Sequence, residues 1–445
     1  AKGIYPDSVT FVCSLKACSS LGDLYNGRDR HGEIVKKGFD RDIYVGSTLI
    51  DMYAKCGSLE EAHKVFDSRS DSIIVAWNAL IGGYAEHGHN EKALRNFEEM
   101  LEEGTGWDNV TIVNGLKACG SIRAITKVQE IHAMITKAGF PDRDSFIGST
   151  LVDMYAKCDL FLEAQYMFEK LIVQDEVSWT ALLSGSMENG HIEEVLGYSE
   201  QMQCEGISQG AITTSIILKA CGSIKAIDKG REMHVNIVQI GALETETFVG
   251  GSTLVDMYVK CGHLLDAKDV FDKLYVRDEA LWMALISGYS DQREIEETFR
   301  CFEQMKRESI SPGTMTLVCI LRACYNHCCA ESGRKIHGEV IERGLESNVL
   351  IGNALLEMYS KFGFLEESLK VFDRIQEQDV VSWTVMIAGY YEYGDSMHAL
   401  DCFEQMQLDG VSPSCATFTS ILKVCLSIPA IQKGYDIHSE IVKKG

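Results

Sequence analysis

The string STLIDMYAKCG at residues 47–57 returns as STLVDMYAKCD at 149–159, as STLVDMYVKCG at 252–262 and, more faintly, as NALLEMYSKFG at 353–363. The copies begin 102, 103 and 101 residues apart. A chain written at a fixed period folds into units that stack on copies of themselves, since one such unit cannot bury its apolar face alone. The 445 residues, which as ordinary domains suggest about three, therefore read as one repeat array.

Each long period divides into three related pieces of about 35, 35 to 37 and 31 residues. One is carried by VAWNALIGGYAEHGHNEKALRNFEEM (75–100) and returns near Trp179, Trp282 and Trp383. A second is carried by VTFVCSLKACSSL (9–21) and ends in RHGEIVKKGF, and the third is the opening string followed by SLEEAHKVFD. In the first, Leu80, Tyr84 and Ala85 follow Trp77 at helical spacing until Gly88 breaks the pattern. A second amphipathic run, Ala93, Phe97 and Met100, precedes another turn. Two short helices per repeat, about thirteen times over, give an all-α fold, an α-solenoid superhelix.

Composition fits this reading. Apolar residues make up 46% of the chain, the 5 prolines are too few for Pro-rich linkers, and no run of about 18 apolar residues marks a membrane span. The opening AKGIYPD and the closing IVKKG read as cuts through repeats, so any targeting peptide or C-terminal domain is expected outside this sequence. Among 16 cysteines, Cys18, Cys119, Cys221, Cys324 and Cys425 recur in LKAC-like strings, and Cys56, Cys158 and Cys261 in KCG or KCD. They are expected as packed thiols in a reducing compartment. The local cluster CYNHCC (324–329) lacks a second ligand pair for zinc, and no cofactor is expected.

Two helical-repeat families share the period. WNALIGGY nearly meets the tetratricopeptide pattern, but its Gly is displaced by one position. The chain more closely resembles the pentatricopeptide-repeat family, in its plant subgroup that alternates P, L and S repeats. The residues that carry the resemblance are VVSWTVMIAGYYEYG, ALDCFEQM and GVSP in P repeats, LKAC and IH..IVK.G in L repeats, and DMYAKCG and A.KVFD in S repeats. In that frame L repeats occupy 8–42, 109–144, 211–247, 314–348 and 415–445; S repeats 43–73, 145–175, 248–278 and 349–379; and P repeats 74–108, 176–210, 279–313 and 380–414. Two spots depart from it: an extra Gly in VGGSTL (249–254), and RSDSII (69–74), which lacks the acidic residue before the next helix.

The resemblance implies single-stranded RNA as partner, read one base per repeat. The fifth and last residues of a repeat select the base, and an apolar second residue packs on its faces. Candidate packing residues are Tyr44, Phe146, Val249 and Leu350 in S repeats and Val75, Val177, Ala280 and Val381 in P repeats, although apolar residues at helix starts equally serve core packing. The fifth residues Ser47, Asn78, Ser149, Thr180, Ser252, Asn353 and Thr384 vary among small polar types amid repeated neighbours, and their amides and hydroxyls suit a Watson–Crick edge. By analogy, Asn78/Asp108 and Asn353/Asp379 read uridine, Ser149/Asp175 and Ser252/Asp278 guanosine, Thr384/Ser414 adenosine, and Thr180/Gly210 a purine. Met283/Gly313 and Ser47/Ile73 have no clear reading. L repeats carry Val12, Val113, Ser215, Val318 and Thr419 there, and Val cannot hydrogen-bond a base.

A net charge of −23 opposes phosphate binding unless positive charge is local. Lys16, Lys117, Lys219, Arg322 and Lys423 lie four residues after the fifth position of L repeats, and Lys55, Lys157, Lys260 and Lys361 eight after it in S repeats. Those offsets keep one helical face, so two basic ladders border the expected groove as phosphate candidates. Asp51, Asp153, Asp256 and Glu357 lie level with the first ladder, and Glu86, Glu188, Asp291 and Glu392 with the second. Lateral pairs such as Lys16–Asp51 and Lys55–Glu86 are expected, each worth less than about 1 kcal/mol if exposed.

Some relatives in this subgroup carry a cytidine deaminase, which needs His-x-Glu and a downstream Pro-Cys-x-x-Cys around zinc. HGE at 31–33 and 337–339 and HSE at 438–440 occupy one slot of the L repeat, where His132 and His234 stand without Glu, and no Pro-Cys-x-x-Cys occurs. The expectation is a non-enzymatic specificity factor for RNA processing in a plastid or mitochondrion, C-to-U editing above all. A deaminase domain or editing cofactor would lie outside the chain, and no membrane is involved. The rival reading is a protein-binding scaffold of tetratricopeptide type.

Overall fold

The computed structural model describes residues 6–69, 73–139, 145–239, 250–327, 329–428 and 431–444. All regular structure among them is helical. In chain order the helices are α1 (Ser8–Leu21), α2 (Leu24–Lys37), α3 (Ile43–Lys55), α4 (Leu59–Asp67), α5 (Ile74–Glu86), α6 (Asn90–Glu102), α7 (Asn109–Ser121), α8 (Ile125–Lys137), α9 (Ser145–Lys157), α10 (Phe161–Lys170), α11 (Glu176–Glu188), α12 (Ile192–Cys204) and α13 (Ala211–Ile224). They continue as α14 (Ile227–Gln239), α15 (Gly251–Lys260), α16 (Leu264–Lys273), α17 (Glu279–Asp291), α18 (Ile295–Arg307), α19 (Thr314–Asn326), α20 (Ala330–Glu342), α21 (Val349–Lys361), α22 (Leu365–Phe372), α23 (Val380–Glu392), α24 (Ser396–Leu408), α25 (Cys415–Ser427) and α26 (Ile431–Lys444). None of the described helices is long and apolar enough to cross a membrane.

The chain divides into two compact units, Ala1–Ala220 and Cys221–Gly445. Within the first, α1, α3, α5, α7, α9 and α11 pack side by side, and each of α2, α4, α6, α8 and α10 lies against its own first helix and the next. The second unit repeats the arrangement: α15, α17, α19, α21, α23 and α25 form the inner row, with α16, α18, α20, α22 and α24 behind. Each unit is thus a two-layer stack of helix pairs.

Local chemistry sets the helix ends. Asp42, Asp108, Asp175, Asp278 and Asp379 are N-caps whose side chains accept backbone N–H bonds from the first turn. Gly38 closes α2 at φ 73°, a left-handed conformation that costs a residue without Cβ little. Ile73 caps α5 with no side-chain bond, in keeping with the missing acid there; residues 70–72 and 240–249, and with them Val249, lie outside the described residues.

The core forms between repeats. Trp77, Trp179, Trp282 and Trp383 are buried, each edge-on to a Phe of the preceding helix: Phe66 at 4.4 Å, Phe168 at 4.5 Å, Phe271 at 4.5 Å and Phe372 at 4.8 Å between ring centroids. Gly27, Gly230 and Gly333 admit the thioethers of Met52, Met257 and Met358 where a Cβ would stand. In the second copy Val128 takes the Gly slot, and Met154 lies against Gly120 instead.

The recurrent histidines bind tyrosines of the next repeat. His31, His132, His234 and His337 place Nδ1 2.9, 2.7, 2.9 and 2.7 Å from the hydroxyls of Tyr53, Tyr155, Tyr258 and Tyr359. The described cysteines are free thiols. Cys56 and Cys261 donate to the carbonyls of Cys18 and Cys221 at 3.9 and 3.7 Å, so the two recurrent cysteine sets meet at one junction. Burial pushes the thiols of Cys119 and Cys324 up to about 12, far from the thiolate form that binds metals. Cys328 of the CYNHCC cluster is outside the described residues, among which no three metal-ligating side chains gather.

Candidate functional site

The first turns of the inner helices carry the candidate side chains. A cavity of about 520 Å³ opens over α1, α3, α5 and the start of α7, lined by Tyr44, Ser47, Val75, Asn78 and Asp108 with Lys16 and Asp51 at its side. The second residues project into solvent rather than into the core: Tyr44 is 78% exposed, Val177 64% and Leu350 55%. Val75, Phe146, Ala280 and Val381 are exposed as well. Exposed apolar side chains at regular spacing form a ladder that burial does not explain.

Between successive rungs lie polar contacts across repeat junctions. Asn78 Nδ2 donates to Asp108 Oδ1 at 2.9 Å, and the Thr111 hydroxyl donates to Asn78 Oδ1 at 2.7 Å. The Asp108 oxygen simultaneously caps α7 by accepting from the Thr111 N–H at 2.9 Å. The second unit repeats the motif: Asn353 Nδ2 lies 3.1 Å from Asp379 Oδ1, and Ser382 donates to Asn353 Oδ1 at 2.6 Å. Because a carboxylate only accepts, each amide is held with nitrogen toward Asp and oxygen toward the hydroxyl.

Both carboxyls stay ionised. Burial pushes Asp108 and Asp379 up, but hydrogen bonds from the backbone of Thr111 or Ser382 and from Asn78 or Asn353 outweigh it, leaving each below its ordinary value.

The other pairs are assembled differently. Thr180 meets Thr213 at 2.8 Å, and Thr384 meets Thr417 at 2.7 Å, with Ser414 3.0 Å from Thr417. Ser47 and Ser149 are buried and donate to their own helix, at Ile43 O (2.7 Å) and Phe146 O (3.3 Å). A serine is too short to span the junction, so Ser149 does not bond Asp175 among the described residues. Ser252 is exposed at the start of α15. Gly210 and Gly313 bring no side chain, but carboxylates missed by the sequence reading, those of Glu176 and Glu279, occupy that space. The pairing of an initial Glu with a terminal Gly was the available signal.

Three comparisons with known proteins bear on this arrangement. Models described as the PPR repeat family match residues 73–120, 277–326 and 378–427, and the PPR repeat model matches 47–68, 177–207, 252–277 and 353–380. A mitochondrial pentatricopeptide repeat-containing protein of Arabidopsis thaliana is 32% identical over 99% of the chain and 64% of its own length. A chloroplastic one from the same plant is 34% identical over 93% of the chain and 67% of its length. The chain belongs to the pentatricopeptide repeat family. It spans 53% of a third relative, also chloroplastic and 31% identical. Among solved structures, maize pentatricopeptide repeat protein PPR10 aligns with a TM-score of 0.67 at 19% identity, over 100% of this chain and 70% of that one. PPR10 in complex with an 18-nt psaJ RNA element aligns at 0.72 and 17% identity, covering 98% and 68%. That likeness is one of fold.

The basic ladders of these pentatricopeptide repeats differ from expectation. Lys55, Lys157 and Lys260 do not reach across to the next helix; they pair within their own, with Asp51 at 3.0 Å, Asp153 at 2.8 Å and Asp256 at 2.8 Å. Asp51 is thereby engaged by Lys55 rather than Lys16. An acid four residues before a lysine needs no lateral approach of two helices and is the better-oriented pair. The fourth copy breaks the pattern: Lys361 lies over the Tyr325 ring at 5.4 Å, and Glu357 is half-buried. Burial pushes the Glu357 carboxyl up, with Arg322 opposing it. Lys16, Lys117, Arg322 and Lys423 are exposed on the inner helices.

Proposed function

We propose that the chain binds single-stranded RNA in a sequence-specific way, one base per P or S repeat, as the specificity factor of an organellar RNA-processing event, C-to-U editing. The observation that carries the reading is the Asn–Asp–hydroxyl junction flanked by exposed apolar residues. An amide has two N–H donors and a carboxylate two oxygens, so after the junction bond the pair keeps a donor beside an acceptor. That edge complements uracil, whose N3–H donates and whose carbonyls accept. Cytosine would set its N3 lone pair against the carboxylate.

The exposed residues Tyr44, Val75, Phe146 and Val177 offer surfaces on which a base face can lie, a sequence-tolerant contact. RNA bound to the related PPR10 supports the class of ligand, and the organelles in the relatives' names support a plastid or mitochondrial setting. The lysines at 55, 157 and 260, already paired, favour modest and salt-sensitive affinity.

A random-pool RNA selection at fixed salt tests this. The first unit should enrich U at the Asn78 position, one free base, then G for Ser149/Asp175. The second should enrich G for Ser252/Asp278, two bases, then U for Asn353/Asp379. The net charge of −23 favours the rival, a protein-binding scaffold, and a pool without any enriched column would decide for it.

A further inference from the structure

Four described junctions end in Asp: Asp108, Asp175, Asp278 and Asp379. Two end in Gly, at Gly210 and Gly313, and lack that carboxylate. The space is nonetheless occupied. Glu176 Oε1 lies against the point where a Gly210 Cβ would stand, and Glu279 Oε1 does the same at Gly313. Glu279 Oε1 also accepts the Gly313 N–H at 2.7 Å and lies 3.3 Å from the Thr316 hydroxyl.

The two glutamates open α11 and α17, 34 residues before their glycines, and both are exposed. Where the repeat ends in a side chain, the first residue is not Glu: Ile74 with Asp108, Ser145 with Asp175, Val349 with Asp379, Val380 with Ser414. An Asp at 210 or 313 would collide with the glutamate, so each junction that ends in Asp or Gly holds one carboxylate, delivered from one end of the repeat or the other, whereas the repeat ending in Ser414 has none.

Resting on the RNA reading above, we propose that Glu176 and Glu279 are specificity-determining residues that stand in for the missing terminal carboxylate and select guanine over adenine. A carboxylate accepts only. Guanine turns N1–H and the N2 amino group toward it, two donors for two oxygens, whereas adenine presents the N1 lone pair. Thr180 beside Glu176 therefore reads guanosine, and Met283 beside Glu279 leans the same way through the carboxylate alone.

The test is the same pool selection on the parent chain, Glu176→Gln, and the double variant Glu176→Ala/Gly210→Asp, all checked for helicity by circular dichroism. The column three nucleotides from the Asn78 uridine should favour G over A by about tenfold in the parent and by about threefold or less in Glu176→Gln. The double variant, with its carboxylate returned to the usual end, should restore G, which a merely structural glutamate would not predict. Preference for A, or an unchanged G in Glu176→Gln, while the Asn78 column still reads U, overturns this inference alone. Loss of every column in the parent overturns the RNA reading with it.

Discussion

Asn353 and Asp379 sit at opposite ends of one repeat and touch, amide nitrogen to carboxylate oxygen, at 3.1 Å. Ser382, on the next helix, closes the triangle through Asn353 Oδ1. The same triangle joins Asn78, Asp108 and Thr111, so the arrangement belongs to the repeat chemistry and not to one site.

Replacing Asn78 by Thr removes the amide donor and leaves a hydroxyl beside Asp108. Uridine preference at that column should give way to guanosine, by about tenfold in relative affinity. Titration of RNA pairs differing at that base measures it, and a variant still preferring U would contradict the assignment.

Thr111→Val keeps the shape but strands Asn78 Oδ1. Losing one hydrogen bond at this half-buried amide costs about 0.5–1.5 kcal/mol, comparable with the lower end of what one bidentate base contact provides. Discrimination of U from C at the Asn78 column should largely disappear, while Thr111→Ser retains it. Equal weakening for both RNAs in Thr111→Val would point to a purely structural role.

Acid should loosen the repeat junctions. Burial lowers the pKa of His31, His234 and His337 below 6.5, with Arg374 adding to the effect at His337 and Lys273 at His234. A folded pKa below the unfolded one means that the unfolded chain takes up the proton first. The contribution is therefore complete above about pH 6.5 and is lost as pH falls through the lower folded values. Melting midpoints should drop from about pH 7.5 to about pH 5.5, and the triple His→Gln variant should flatten that drop.

The tryptophans anchor through shape alone. The indole N–H groups of Trp77, Trp179, Trp282 and Trp383 meet no acceptor among the described residues. Trp179→Ala should cost about 3–5 kcal/mol in urea unfolding, whereas Trp179→Phe, which keeps most of the edge contact with Phe168, should cost less than about 1.5 kcal/mol. Similar costs for both would show that the indole nitrogen matters.

Asp153→Asn releases Lys157 from its pair. RNA binding should tighten, and the log–log salt slope should steepen by about 0.7 for one added phosphate contact. An unchanged slope would remove Lys157 from the phosphate candidates.

The helical layout was readable because Trp77, Leu80 and Tyr84 repeat at helical spacing and Asp42, Asp108 and Asp379 mark helix starts with their own capping chemistry. What sequence could not decide was competition between near-equal partners. Asp51 had Lys16 on one side and Lys55 on the other, and only the distance within a turn separates them. Nor does an apolar residue at a helix start announce its direction: Val75 faces solvent while Ala76, its neighbour, is buried. Glu176 was passed over because its partner is a residue without a side chain.

Asp108 and Asp379 cap α7 and α23, and under the base-reading role proposed above that capping ties thermal robustness to target choice. The residue types that close a helix start well are Asp, Asn, Ser and Thr, so the vocabulary open to the terminal position is inherited from helix chemistry before any RNA selects among its members. Retargeting such an array by changing that position shifts its melting behaviour at the same time, and a designer who alters several letters must restore helix closure elsewhere. Glu279, which accepts a backbone N–H while standing in for the absent Asp, marks one route by which the two demands separate.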